Sequence, residues 1–176
     1  MVADPPWKFA DGLGARGAEA QYACMDMDAI YHEMASVLAQ WDSLRASRDA
    51  VLFLWRVAAM QLEALSVAED LGFAVKAELV WEKLTKTGQP HFGMGRYVRN
   101  SHEVCLIAVR GRALPAVRNV RSRFAAPVRE HSRKPDAFYR LVEQLYPISR
   151  KVEMFARTSR VGWVQHGHER RKFDAE

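Results

Sequence analysis

Cysteine is scarce in this sequence: Cys24 and Cys105 stand far apart, with no CxxC pair. That excludes a disulfide framework and a cysteine-rich zinc site, and fits reduced thiols in a cytoplasmic protein. No apolar run reaches the roughly 18 residues that span a bilayer, so no membrane partner is expected. Asp4-Pro5-Pro6 arrives too early for a secretory signal. Internal repeats and linkers are missing too, so the 176 residues are expected to form one domain with its own core. Acidic residues all but vanish between Arg110 and Lys134. There Arg110, Arg112, Arg118, Arg121, Arg123, Arg129, Arg133 and Lys134 face the single acid Glu130. With a net charge of +5 and a pI near 9.4, this run is either a phosphate-binding surface or a solvated loop.

What is present is an alternation of apolar strands and amphipathic helices. Residues 1–3 read as a strand stub running into Asp4-Pro5-Pro6-Trp7. Residues 8–24, with Gly12, Gly14 and Gly17, read as a loop. Asp26 or Asp28 can cap a helix running to about Trp41. The continuous apolar run Ala50 to Trp55 predicts a strand buried on both faces. A helix from about Ala58 to Leu71 stops at Gly72, and a strand runs from about Phe73 to Trp81. A second glycine-bearing loop occupies 84–101, followed by a strand over Glu103 to Val109. Pro135 suits the first turn of a helix reaching Leu145. Strands are expected near 151–156 and 162–165, with a loose tail after residue 169. The pattern predicts an α/β fold, a mostly parallel sheet with helices on both faces. Ligands in such sheets bind beyond the carboxyl ends of the strands, where Asp4 to Trp7, Trp55, Trp81 to Lys83, Arg110 and Arg157 are expected.

Asp4-Pro5-Pro6-Trp7 is the most informative tetrapeptide. The exocyclic N6 amine of adenine is a poor nucleophile, because its lone pair is delocalised into the ring. A carboxylate and a backbone carbonyl that accept both N–H hydrogens aim that lone pair at an electrophile. Pro5 and Pro6 disfavour helix at the residues before them, so the carbonyls project rigidly. Trp7 offers a flat face for a flipped base. In isolation the same four residues also make an ordinary turn that closes a strand.

The order of motifs extends the case. Tyr22-Ala23-Cys24-Met25, Leu52-Phe53-Leu54-Trp55, Val80-Trp81-Glu82-Lys83, His102-Glu103 and Arg110-Gly111 follow the tetrapeptide. After them come Arg129 to Asp136 (REHSRKPD), Lys151 to Arg157 (KVEMFAR) and Gly162-Trp163. Taken together, the chain resembles the MT-A70-like family of adenine N6-methyltransferases. The resemblance implies a Rossmann-like methyltransferase fold in which the catalytic motif precedes the main cofactor segment, and S-adenosyl-L-methionine as cofactor. It implies that Asp4 and the Pro5 carbonyl hold the amine, with Pro6 and Trp7 completing the catalytic motif. Lys134 would pair with the methionine carboxylate, while Phe155, Arg157, His168 and Glu169, with Asp4, surround the rest of the cofactor. Tyr22, Trp55, Trp81, Lys83, Glu103, Arg110, Arg129, His131 and Arg133 would line the substrate side, with loops 8–24 and 84–101 as gates. Only three residues precede Asp4 where relatives carry a full strand, and His168 stands where the family has Asn; both predict weaker cofactor binding.

No metal is expected: His166 and His168 have no carboxylate or cysteine at ligand spacing, and the sulfonium already activates the methyl. His131-Ser132 lacks a nucleophile elbow. Trp41 and Trp163 read as core or interface. The expected activity is adenine N6-methylation of nucleic acid. DNA is favoured, since compact stand-alone relatives of bacterial or phage type tend to act on it. RNA methylation, a non-catalytic nucleic-acid-binding subunit, and methylation of a protein amide or small amine are the rivals. With no separate recognition domain, short relaxed specificity or help from a homodimer or partner subunit is expected.

Overall fold

The computed structural model describes residues 1–8, 24–43, 48–95, 97–130, 132–167 and 169–174. Tyr22, His131, His168, most of the 8–24 loop and the side chain of Trp41 lie outside the described residues. The elements in chain order are β1 (Val2–Ala3), α1 (Met27–Ser43), β2 (Ala50–Arg56), a 3₁₀ turn (Ala58–Met60), α2 (Gln61–Asp70), β3 (Ala74–Leu84), β4 (His102–Arg110), β5 (Arg123–Pro127), α3 (Asp136–Leu145), β6 (Lys151–Met154) and β7 (Trp163–His166).

The strands form one seven-stranded sheet in the order β5-β3-β4-β2-β1-β6-β7. Pairings β1–β2, β1–β6, β3–β5 and β6–β7 are parallel, whereas β4 runs antiparallel to both β2 and β3. Alternation of side chains along β2 builds two cores. Leu52 and Leu54 pack with Ile30 and Met34 of α1 and Val67 of α2, while Val51, Phe53 and Trp55 pack with Phe138 and Val142 of α3. Helices therefore cover both faces, and the fully apolar run at 50–55 follows from burial on two sides.

The helix ends follow from local chemistry. Asp26 Oδ1 accepts the Ala29 N–H at 2.9 Å, which makes it the cap of α1, with Asp28 left to favour the positive end of the helix dipole. Pro135, with φ −72° and ψ 145°, is the residue before the first turn of α3 and not within it. β3 runs to Leu84, three residues beyond the expected strand, so Lys83 belongs to the sheet and not to the loop that follows. Its first half is exposed, from Ala74 to Glu78, so this strand is not apolar throughout.

Candidate active site

β1 is a two-residue strand at the centre of the parallel half of the sheet, with Ala3 in register with Leu54 and Met154. Two prolines end it at once, since neither has an N–H to extend the ladder. Asp4 therefore leaves the sheet at the carboxyl edge, one step past the Leu54 and Met154 level, flanked by Trp55 and Phe155. The tetrapeptide closes in a tight turn: the Trp7 N–H donates to the Pro5 carbonyl at 2.9 Å. The Pro6 carbonyl accepts from Met25 N at 2.8 Å.

β4 brings a second acid to the same edge. Because it is antiparallel, its amino end lies at the site, with Glu103 opposite Trp81. The segment ahead of α3 contributes the third charge. Lys134 Nζ lies 2.7 Å from Asp4 Oδ2 and 3.1 Å from Glu103 Oε2, and Lys83 Nζ lies 2.6 Å from Glu103 Oε1. Lys134 is buried and stands 5.1 Å from the centroid of the Trp55 ring. Burial is the largest influence on each of these groups. It pushes the Asp4 carboxyl above the ordinary carboxylate range, and Lys134 only partly offsets it. At Glu103 the burial effect is outweighed by Lys134 and Lys83, and the pKa falls to about 2. Burial would discharge Lys134, but Asp4 and Glu103 more than compensate, and its pKa is raised.

These groups line a cavity of 80 Å³ bounded by Asp4, Pro5, Trp55, Glu103, Ser132 and Lys134. Cofactor pockets run to about 300–1,000 Å³, so this cavity is smaller than a whole cofactor site. A hollow of 280 Å³ near Val51, Val152 and Tyr146 lies at the opposite sheet edge; it is roomier but mostly apolar, and it lacks the carboxylate–lysine cluster. Beside the small cavity, the Trp55 indole N–H is buried with no hydrogen-bond partner among the described residues. A buried unpaired donor is costly, which marks a place for a polar acceptor to dock.

The structure corrects several sequence expectations. Trp7 does not present a stacking face. It is 3% exposed, and its indole N–H donates to the Trp55 carbonyl at 3.0 Å, so the ring pins the motif to β2. Trp81 stands behind Trp55, edge to face at 6.4 Å between centroids, with its own N–H on the Ala126 carbonyl. Arg110 is at the wrong end. It pairs with Ala50 at the start of β2, across the sheet from Asp4, because β4 is reversed. The basic run is accordingly divided: Lys134 is buried, Arg110 faces away, Arg123 pairs with Glu82, and Arg112, Arg118 and Arg121 are exposed.

Among the described residues, Arg129 and Arg133 precede Lys134 in the chain, and Phe155 and Arg157 follow the carboxyl end of β6. Arg129 pairs with Asp136 at 2.8 Å and Arg133 with Glu130 at 3.0 Å, bracketing Ser132 and Lys134. On the other flank Phe155 leaves β6 in a left-handed conformation (φ 58°), and Arg157 Nε lies 3.2 Å from Glu169 Oε2. Gly167 crosses so close that a Cβ there would lie 2.8 Å from Ala156 N. That contact holds the ends of β6 and β7 together as one shelf.

Sequence reasoning missed Glu153, an acid between the buried Val152 and Met154 of β6. It is 6% exposed, and Tyr139 Oη donates a short hydrogen bond to it. Arg160 stacks 3.8 Å from the Tyr139 ring centroid and pairs with Asp136 at 2.8 Å. The signal was there: an acid between Val152 and Met154 must either face solvent or find a buried partner. Burial raises its pKa from 4.5 to about 7. Between those values the unfolded chain has released the proton and the folded chain retains it, so stability falls as pH rises. Glu153→Gln is therefore expected to be more stable than the parent by about 2–3 kcal/mol at pH 8, with no difference near pH 4.5. Urea unfolding at the two pH values checks this, and an equal gap at both would refute it.

The sequence pattern of the family described as MT-A70 matches residues 1–169. The chain belongs to the MT-A70 family. Its relatives include an N(6)-adenosine-methyltransferase MT-A70-like protein of Arabidopsis thaliana, 30% identical over 96% of this chain and 23% of the relative. The N(6)-adenosine-methyltransferase catalytic subunit METTL3 of Homo sapiens is 28% identical over 96% of this chain and 27% of its own length. The Type II methyltransferase M.MunI of a Mycoplasma species is 27% identical over 96% of this chain and 76% of its own length. The chain thus spans about a quarter of the two eukaryotic relatives. MT-A70 methyltransferases use S-adenosyl-L-methionine. The donor set fits that molecule. Lys134 has three N–H donors, of which Asp4 and Glu103 take two, the Trp55 N–H awaits an acceptor, and Glu169 offers a carboxylate suited to sugar hydroxyls.

Proposed function

We propose that this chain is an S-adenosyl-L-methionine-dependent N6-adenine methyltransferase of nucleic acid, with DNA as the favoured substrate. The observation that carries the reading is Asp4, a carboxylate at the carboxyl end of the central parallel strand, locked to a buried lysine and followed by two prolines. In this reading Asp4 and the Pro5 carbonyl accept the two hydrogens of the target amine. The Pro5 oxygen already accepts from Trp7 N and keeps a second lone pair for that purpose. Burial increases the proton affinity of Asp4, which suits it to take the proton the amine sheds on methylation. When bound, S-adenosyl-L-methionine supplies an electrophilic methyl on a sulfonium. Lys134 and the Trp55 N–H would hold its amino-acid end. Phe155, Arg157, Glu169 and His168 would hold the nucleoside end. Lys83, Glu103, Tyr22, Arg129, His131 and Arg133 would shape the substrate side, while Trp7 and Trp81 brace the site from within the core. The extensive match to the Mycoplasma relative, 76% of its length, is what favours DNA; the adenosine-methyltransferase relatives keep RNA as the second reading.

The test is mass-spectrometric detection of N6-methyladenine after incubating the purified chain and the methyl donor with single- and double-stranded DNA and RNA oligonucleotides. Product on DNA is expected. Product on RNA alone would transfer the reading to RNA, and binding of donor and oligonucleotide without product would make the chain a non-catalytic subunit.

A further inference from the structure

The segment between β3 and β4 has no acidic residue from Lys83 to Ser101. Among the described residues it also holds the densest group of exposed large apolar side chains. Phe92 is 76% exposed, Met94 84%, Tyr97 95% and Val98 73%. Exposed single apolar residues are ordinary, but four within seven positions are not.

The loop is built, not slack. Its base is tied by Lys83 N to Ser101 O and by His91 N to Lys83 O, both 2.9 Å, and by a turn in which Thr85 N donates to Gln89 O at 2.8 Å. Its tip is closed by Asn100 Nδ2 on the Met94 carbonyl at 3.0 Å. The chain crosses itself so tightly that a Cβ on Gly93 would lie 2.2 Å from Asn100 O, and one on Gly95 1.9 Å from Val98 O. Glycine at both places lets the loop close while its large side chains remain outside. Arg99 lies 5.1 Å from the centroid of the Phe92 ring, forming a cationic stack on an aromatic plane. The base of the loop is Lys83, which touches Glu103 of the charge cluster. The loop therefore rises from the same sheet edge as Asp4.

We infer that Phe92, Tyr97 and Arg99 form a stacking platform for unpaired bases, so that this loop selects single-stranded nucleic acid beside the methylation site. Exposed aromatic faces take bases of any identity, and the positive, acid-free segment tracks the phosphates. In a duplex the bases are already stacked on one another and offer no face to these rings. The absence of acidic residues is what decides for a polyanion over an apolar protein partner. The inference rests on the nucleic-acid reading proposed above and names the strand state of its substrate.

Fluorescence anisotropy with single-stranded and hairpin DNA oligonucleotides of equal charge tests it, using the full chain and the variants Phe92→Ala, Tyr97→Ala, Phe92→Leu and Tyr97→Phe. Both rings are exposed, so the variants keep the parent melting temperature. The parent is expected to bind the single strand more tightly than the hairpin. Each alanine variant loses roughly 5- to 100-fold in single-strand affinity, with little change for the hairpin. Phe92→Leu, which keeps the apolar contact but not the flat face, falls with the alanine variants, while Tyr97→Phe stays with the parent. Equal losses on both oligonucleotides, or full binding by the alanine variants, would overturn the platform and leave the methyltransferase reading intact. No binding of any oligonucleotide by the parent would instead remove the nucleic-acid reading itself. A parent that sediments as a dimer, with Phe92→Ala and Phe92→Leu differing in dimerisation and not in binding, would reassign the loop to a protein interface.

Discussion

Asp4→Asn is expected to lower methyl transfer by at least about 100-fold while leaving the melting temperature nearly unchanged. The amide keeps the shape of the carboxylate and still offers Lys134 an oxygen, so the contact at 2.7 Å can be retained. What it loses is the charge that would accept the amine hydrogen in the proposed reaction, and any capacity to take up a proton. Asparagine presents one acceptor oxygen and two donors of its own, and the donors repel an N–H group brought against them. The readouts are product yield by mass spectrometry, thermal melting, and donor binding by calorimetry. A variant with full activity would show that Asp4 is a structural partner of Lys134 and that the chemistry is elsewhere. A variant that loses activity and melts early would leave the role of the charge confounded with the fold, so Asp4→Glu is the companion. It restores charge at the wrong distance and is expected to remain impaired while folding normally.

Lys134→Met carries the largest expected effect on stability. The ammonium is buried between two carboxylates, with 7% side-chain exposure against 24% for Asp4 and 27% for Glu103. Removing it leaves both acids facing each other with only Lys83 beside Glu103. Breaking a buried ion pair on one side costs about 3–5 kcal/mol, and the partial exposure of the acids places this site near the lower end. The pH dependence follows from the directions of the shifts. In the parent, Glu103 has its pKa lowered from 4.5 to about 2, so its contribution is present above 4.5 and is lost as pH falls towards 2. In the variant both carboxyls titrate upward, and the penalty grows as pH rises above their ordinary range. The deficit should therefore be largest at pH 8 and shrink towards pH 4, and Lys134→Met combined with Glu103→Gln should recover part of it. Urea unfolding across that range is the measurement. A deficit independent of pH would mean lost packing against Trp55 and not an uncompensated charge.

Much of this was legible in the chain. The apolar run at 50–55 could only be a strand buried on two sides, and Asp26 could only be a cap or a surface acid. A strand stub stopped by two prolines had to end in a projecting turn. Glu153 was legible in principle, as an acid stranded among Val152, Met154 and Phe155. The role of Lys134 was not: a lysine ahead of a proline-started helix is ordinarily solvated, and only the resemblance singled it out.

The sequence by itself determined the elements, their alternation and the position of the acidic tetrapeptide, because hydrophobic period and proline chemistry act within a few residues of chain. Tertiary structure alone decided the direction of β4, and with it that Glu103 enters the site while Arg110 is carried to the far edge. An apolar strand looks the same read in either direction, so its sense emerges only from pairing with partners 20 to 60 residues away in the chain. The burial of Trp7 and the trapping of Lys134 between two acids were decided the same way, since both depend on neighbours that no local pattern names.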